Sequence, residues 1–296
     1  MGCCICAVVT YAFYVLIAFV IYKIYEAFFK SFPIPKLDTT KNWGKGQELN
    51  SDPKTFHIRA TEAQLKKLKE QLLETDFLRE PLEDSNFVYG TNPNALIDIV
   101  KYWRETYLAK WQEREEYLNK FPQYLTKVQG LDVHYIHAKP EKSNKKVIPL
   151  LIQHGWPGSI REFYEIIPKL IDTNNDTDFV FEAKTPSLAG FGWSEATTKK
   201  DFILLEYATV LRNLMIQLGH KQFLVQGGDW GSIVGNYLTT LYPENVIGYH
   251  SNMCTINTPM AYIKCYIMLL LHSVHRISYN QAVRISTSHL LQRLWT

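Results

Sequence analysis

Phe223-Leu224-Val225-Gln226-Gly227-Gly228-Asp229-Trp230-Gly231-Ser232-Ile233-Val234 is the stretch whose reading decides the fold. An apolar run of strand length enters small-x-acid-x-small and continues into a helical pattern. Gly227 and Gly231 flank a turn so tight that side chains there would clash. The residue at its tip is held in a strained conformation at the carboxyl end of a sheet. In most turns of this kind the tip is serine. Here it is Asp229, so the attacking group is a carboxylate and the intermediate an ester. A carboxylate suits displacement at saturated carbon, as in an epoxide or an alkyl halide, better than acyl transfer. A glycine-rich turn with a capping Asp is the bland alternative, but strand, glycine spacing and following helix all agree on the elbow.

Upstream, Leu150-Leu-Ile-Gln-His154-Gly155-Trp156-Pro157-Gly158 also follows a short apolar run, Lys145 to Ile152, of buried-strand type. Gly155 lets the backbone fold close to the site. The amide of Trp156 then points at developing negative charge, with the amide of Trp230 as its partner in an oxyanion hole. His154 is read as a structural imidazole rather than a base, because this arrangement supplies its base after the last strand. A third loop, Thr185-Pro-Ser-Leu-Ala-Gly-Phe-Gly-Trp-Ser194-Glu195, follows the Phe179–Ala183 strand and supports the assignment by its place between the other two.

The remaining pattern agrees. Tyr124–Val128 and Leu131–His137 alternate with period two across Gln129-Gly130, which predicts a hairpin. Helices are expected from Thr61 to Thr75, over Leu96–Tyr107 behind Asn92-Pro93-Asn94, and at 163–171, 204–218 and 233–242. Trp103 and Trp111 are read as packing residues on the core. Strands alternating with helices imply a doubly wound, mostly parallel sheet. Residues 32–54, rich in Pro, Gly, Lys and Asn, read as an irregular arm.

Met1 to Tyr22 carries no charge, and Ile5 to Tyr22 is nearly all apolar or aromatic, about the length that spans a hydrocarbon core. A cleaved signal peptide is disfavoured: no basic residue precedes the run and no small-x-small site follows it. Lys23, Lys30, Lys36, Lys41 and Lys45 on its C-terminal side place the body in the cytoplasm. A formal charge of +3 without a basic stripe excludes nucleic acid as a partner. Cys3, Cys4, Cys6, Cys254 and Cys265 have no metal-ligand spacing, so neither zinc nor a disulfide framework is expected. Met1-Gly2-Cys3-Cys4 only weakly suggests lipidation, since Cys6 stands where myristoylation wants Ser or Thr.

Phe87-Val-Tyr-Gly90, Tyr102-Trp103, Leu118–Gln123, Gly130–His134, His154–Pro157, Gly227–Gly231 and His250–Cys254 together resemble the microsomal-type epoxide hydrolases, most of all those acting on insect juvenile hormone. The resemblance runs to about residue 270 and implies an α/β-hydrolase fold behind a transmembrane anchor and an N-terminal helical extension. The implied organisation is anchor 1–30, N-terminal domain 31–130, front half of the core 131–255, and start of a cap with a divergent tail 256–296. It implies that Asp229 opens a hydrophobic epoxide, of a juvenile hormone or a xenobiotic, while cap tyrosines protonate the departing oxygen. A histidine oriented by an acid then activates water. No cofactor or metal is implied, and the location is the endoplasmic reticulum membrane. A haloalkane-dehalogenase-like enzyme shares the Asp elbow but lacks the anchor and the long N-terminal domain. The family's acid and histidine come after the cap, and neither is identified here: past Asp229 the carboxylate supply is Glu244, while His250, His272, His275 and His289 follow no suitable strand. Tyr262, Tyr266 and Tyr279 are the cap-region tyrosines. The reading is thus of a chain missing its C-terminal part and impaired as it stands, or of a non-catalytic isoform that binds a ligand or partner.

Overall fold

A computed structural model describes residues 2–29, 33–74, 82–142 and 144–253, with Ile263 and Tyr266. From the β-branched and aromatic runs come seven strands: β1 (Lys54–Phe56), β2 (Gln123–Val128), β3 (Leu131–Ala138), β4 (Lys146–Gln153), β5 (Phe179–Pro186), β6 (Phe223–Gly227) and β7 (Val246–Ser251). They form one sheet in the order β1-β2-β3-β5-β4-β6-β7. β4 pairs in parallel with β5 and β6, and β6 with β7, whereas β1–β2, β2–β3 and β3–β5 are antiparallel. The sheet is therefore mixed rather than mostly parallel, because the predicted hairpin and β1 extend the same sheet. Gln129 (φ 49°) and Gly130 (φ 81°) make that hairpin's turn.

Leaving β4, the chain goes first to β5 on one side and later to β6 on the other. That makes the carboxyl end of β4 a topological switch point, where a crevice opens in sheets of this kind. Alternation along β4 sends Leu151 to one face and Leu150 and Ile152 to the other. The first face is covered by α6 (Leu204–Gln217) and α7 (Trp230–Leu241), through Leu211, Leu214, Met215, Val234 and Leu238. The second packs against Ile160, Tyr164 and Ile167.

The expected helix at 163–171 is instead a 3-10 turn, Ile160–Phe163, and the short α5, Ile167–Leu170. Pro168 accounts for the break: inside a continuous helix it has no N–H to donate, and its ring meets the carbonyl four residues back.

Residues 33–53 are not an arm leading away. Trp43 is 2% exposed within the α6/α7 core cluster, its ring edge-on to Phe202 at 5.1 Å, with Lys41 Nζ 4.0 Å above it. Trp43 N–H donates to Gln129 O at 2.7 Å and Gly130 N–H to Leu49 O at 2.8 Å. A Cβ on Gly44 would overlap the Gly130 carbonyl. The segment braces the hairpin turn, and its Pro, Gly and Asn content reflects turns, not freedom.

The first helix, α1 (Gly2–Phe29), contains a 19-residue stretch, Val8–Glu26, long and apolar enough to cross a membrane, with none of it buried. α2 (Glu62–Leu73) starts at the expected Thr61, which forms a reciprocal capping box with Gln64. α3 (Pro93–Tyr102) is capped by Asn92, loosens through a π turn at Trp103–Tyr107, and gives way to α4 (Trp111–Leu118). No α3 side chain is buried among the described residues, and Trp103 is 40% exposed, contrary to the expected packing role. α4 makes the junction with the core instead. Tyr117 and Leu118 pack on the Tyr164 cluster, and Trp111 Nε1 donates to Glu115 Oε2 at 3.2 Å.

Candidate active site

β6 ends at Gly227 and α7 begins at Trp230, so the strand-to-helix reversal is made by Gly228 and Asp229 alone. Asp229 has φ 50° and ψ −126°, outside the regions that L-residues normally occupy. Its surroundings enforce this. A Cβ on Gly227 would strike the Gly231 carbonyl, and one on Gly231 the carbonyls of Gln153 and His154. Ser232 holds the far side, donating to the Asp229 carbonyl from its hydroxyl at 2.7 Å and its amide at 3.0 Å. The strain projects the carboxylate into the crevice beyond β4, at the positive end of α7.

The β4 loop meets it there. The backbone N–H of Trp156 donates to Asp229 Oδ1 at 2.7 Å. Gly155 makes that approach possible, since any Cβ there would overlap Asp229's own Cβ and Oδ1. Trp156 and Pro157 are joined by a cis peptide bond. Trp230 occupies the first position of α7, where N–H groups have no partner within the helix. The two amides that sequence spacing selected thus come from the β4 loop and from the first position of α7.

His154 is buried below this loop. Its Nδ1–H donates to Gly155 O at 2.9 Å, and its Nε2 accepts the Leu188 N–H at 3.0 Å. Burial holds its pKa below the usual imidazole value. Both ring nitrogens are committed, so its work is to tie the β4 loop to the Ser187–Ser194 loop. His134 plays a similar part at the neighbouring strand. It is fully buried between Ser187 Oγ (2.9 Å) and Gln123 Oε1 (2.8 Å), and desolvation takes its pKa down to about 4.

Two features depart from expectation. Asp229, whose role as a nucleophile in a strained turn suggests a buried carboxylate, is exposed among the described residues. Most of 254–296, including Tyr262, Tyr279, His272, His275 and His289, lies outside those residues, so the cap readings fall there too. Among the described residues no histidine hydrogen-bonds Asp229. The second is a contact that sequence reasoning missed. Asn252, one residue past β7, lays its carboxamide against Gly228, where a Cβ would meet Oδ1, Nδ2 and Cγ, and its N–H reaches Gly227 O at 3.4 Å. The parallel register Gly227↔Ser251 is the signal that would have placed it.

Comparison with known proteins agrees with this geometry. The model of the epoxide hydrolase N terminus matches residues 53–163, and that of the alpha/beta hydrolase fold matches 148–273. Juvenile hormone epoxide hydrolase 2 of Ctenocephalides felis is 43% identical over 247 residues, covering 82% of this chain and 52% of that protein. Epoxide hydrolase 1 of Sus scrofa is 40% identical over 223 residues, 72% of this chain and 48% of its own length. The crystal structure of juvenile hormone epoxide hydrolase from Bombyx mori superimposes with a TM-score of 0.70 at 40% identity, covering 73% of this chain and 58% of that one. The chain spans about half the length of the curated relatives it matches. With an aspartate elbow on this sheet and an N-terminal domain that a dehalogenase-like reading does not account for, the chain belongs to the epoxide hydrolase family.

Proposed function

We propose that this chain carries the ester-forming centre of a membrane-held epoxide hydrolase acting on a hydrophobic epoxide of the juvenile hormone or xenobiotic kind. An Asp229 carboxylate oxygen attacks an oxirane carbon. The C–O bond of the ring breaks as the ester bond forms, and the departing oxygen takes a proton. Water then adds to the ester carbonyl, and collapse of the tetrahedral oxyanion returns the carboxylate and releases a diol. Amides of Trp156 and Trp230 stabilise that oxyanion. Gly155, Pro157, Gly227, Gly228 and Gly231 shape the two loops, and His154 braces them. The proton donor for the ring oxygen and the base for water are assigned to no residue.

The single observation that carries this reading is the 2.7 Å bond from Trp156 N–H to an Asp229 held at φ 50°. It puts a preorganised donor on the atom that becomes the carbonyl oxygen of the ester. Juvenile hormone is the substrate class named for the insect relatives, which supports it over smaller epoxides. We place α1 across the endoplasmic reticulum membrane with the body in the cytoplasm, on the strength of the lysines that follow it. The test is mass spectrometry of the Asp229 peptide after incubation with juvenile hormone III or styrene oxide. An adduct of one substrate mass on Asp229 is expected. Absence of both an adduct there and diol in solution sinks the proposal.

A further inference from the structure

A charged cavity lies away from Asp229, where α4 meets the turn that follows the β4 loop. It encloses about 380 Å³ and is lined by Tyr107, Arg114, Tyr117, Leu118, Arg161 and Glu165. Each arginine is backed by an aromatic ring. The Arg114 guanidinium lies 5.0 Å from the Tyr107 centroid, and that of Arg161 lies 4.8 Å from Tyr117 and 5.5 Å from Tyr164.

The two arginines differ in what satisfies them. Arg161 has Glu165 at 3.5 Å. Arg114 has no carboxylate within 4 Å among the described residues, and its Nε is closed to solvent without a hydrogen-bond acceptor. Three carboxylates nearby are engaged elsewhere. Glu115 accepts from the Ala60 amide and the Trp111 indole, Glu116 from Gln112, and Glu165 from Tyr117 at 2.6 Å. Lys120 lies 5.9 Å from the Tyr117 ring. A shielded donor on a charged group with nothing to donate to is costly, and native proteins keep few of them without a ligand, ion or water as partner.

We propose that this cavity is a binding site for a small organic oxyanion, a carboxylate or a phosphate monoester. The oxyanion engages the guanidinium forks of Arg114 and Arg161, and its apolar body lies against Tyr107 and Leu118. A planar guanidinium fork matches a carboxylate or phosphate edge two bonds at a time, which a lysine cannot do. The cavity is larger than an inorganic anion needs, so a ligand with a ring or chain binds more tightly than phosphate alone. This site is independent of the Asp229 reading and stands or falls separately.

The experiment uses the full chain in detergent micelles, at constant ionic strength held with chloride. Inorganic phosphate, phenyl phosphate and benzoate are titrated by calorimetry and by thermal shift. Saturable binding is expected for all three, tighter for phenyl phosphate than for phosphate. Arg114→Gln is expected to weaken it by about tenfold or more, because it removes one charge-assisted pair. Arg114→Lys, which keeps charge but loses the fork, falls between the two. Ligand-free, Arg114→Gln unfolds within about 4 °C of the parent, since the unsatisfied donor it removes offsets the lost contact with the Tyr107 ring. Failure of all three anions to bind saturably overturns the proposal, as does affinity unchanged in Arg114→Gln. Marked destabilisation of ligand-free Arg114→Gln also overturns it, by showing that the chain itself already satisfies that arginine.

Discussion

Truncating Trp43 tests whether residues 33–53 brace the hairpin turn or merely lie against it. The indole is 2% exposed in the main core cluster. Removing a buried tryptophan side chain down to Ala costs roughly 3–5 kcal/mol. That range already includes its two specific contacts. The edge-on pair with Phe202 is worth about 0.5–1.5 kcal/mol and the Lys41 cation–π contact about 0.5–1 kcal/mol. For a body of this size each kcal/mol moves Tm by roughly 2–4 °C, so Trp43→Ala should lower Tm by about 6–20 °C. Far-UV circular dichroism of the full chain in micelles reads this without relying on tryptophan emission. Lys41→Ala, which loses only the cation–π contact, should fall by less than about 4 °C. Hydrogen exchange adds a local readout, because the amides of Trp43 and Gly130 donate to Gln129 and Leu49 across the brace. Both should lose protection in Trp43→Ala. A Tm within about 3 °C of the parent would refute the assignment and return the segment to an arm.

Asp229→Asn should abolish the covalent adduct, because an amide is a far weaker nucleophile; an adduct in the Asn variant equal to the parent's would refute the nucleophile assignment. Gly155→Ala forces a methyl group onto the Asp229 side chain and breaks the Trp156 hydrogen bond, so ester formation should slow by about 10²-fold in a stopped-time adduct assay. His134, with its folded pKa reduced from 6.5 to about 4 by burial, binds no proton in a range where the unfolded chain does. Stability should therefore be full above about pH 6.5 and decline towards pH 4, by up to roughly 3 kcal/mol from this residue, a slope that His134→Gln removes in denaturant titrations. Asn175-Asp176-Thr177 is a glycosylation sequon that a cytoplasmic body never exposes to the lumen; a mobility shift on deglycosylation of the protein from eukaryotic cells would reverse the orientation.

Local pattern made most of the sheet legible. The hairpin, the buried strands of β4, β5 and β6, and the caps at Thr61 and Asn92 all follow from residues within a few positions of each other. Two failures came from rules that act over longer range. Nothing near Trp43 announces that its partners, Phe202 and the α6 face, lie more than 150 residues on, so a Pro- and Gly-rich composition was read as an irregular arm. That the predicted hairpin, extended by β1, joins the main sheet was missed because alternation of strands and helices is counted along the chain. β1, β2 and β3 enter before that alternation starts, and they join the same sheet through β5.

The candidate site was more legible than the fold around it, for a physical reason. Its parts are glycines where no Cβ fits and backbone amides that follow them, and both are fixed by sequence spacing once the strands are placed. Gly155 and Gly231 each exclude a methyl group by contact with a backbone or side-chain atom of the opposite loop, whereas Gly227 does so against Gly231 within its own turn. Glycine at 155 and 231 was therefore a statement about a neighbour 70 to 80 residues away, and the 2.7 Å Trp156–Asp229 bond is what that approach allows. Side chains that reach the site from a third element carry no such mark. Asn252 touches Gly228 only because β7 lies parallel to β6 in one register, and a shift by one residue would turn its carboxamide to the other face of the sheet. Arg114 is the extreme case. Its unsatisfied Nε follows from what fails to surround it, and no local pattern in Trp111–Leu118 could have disclosed that.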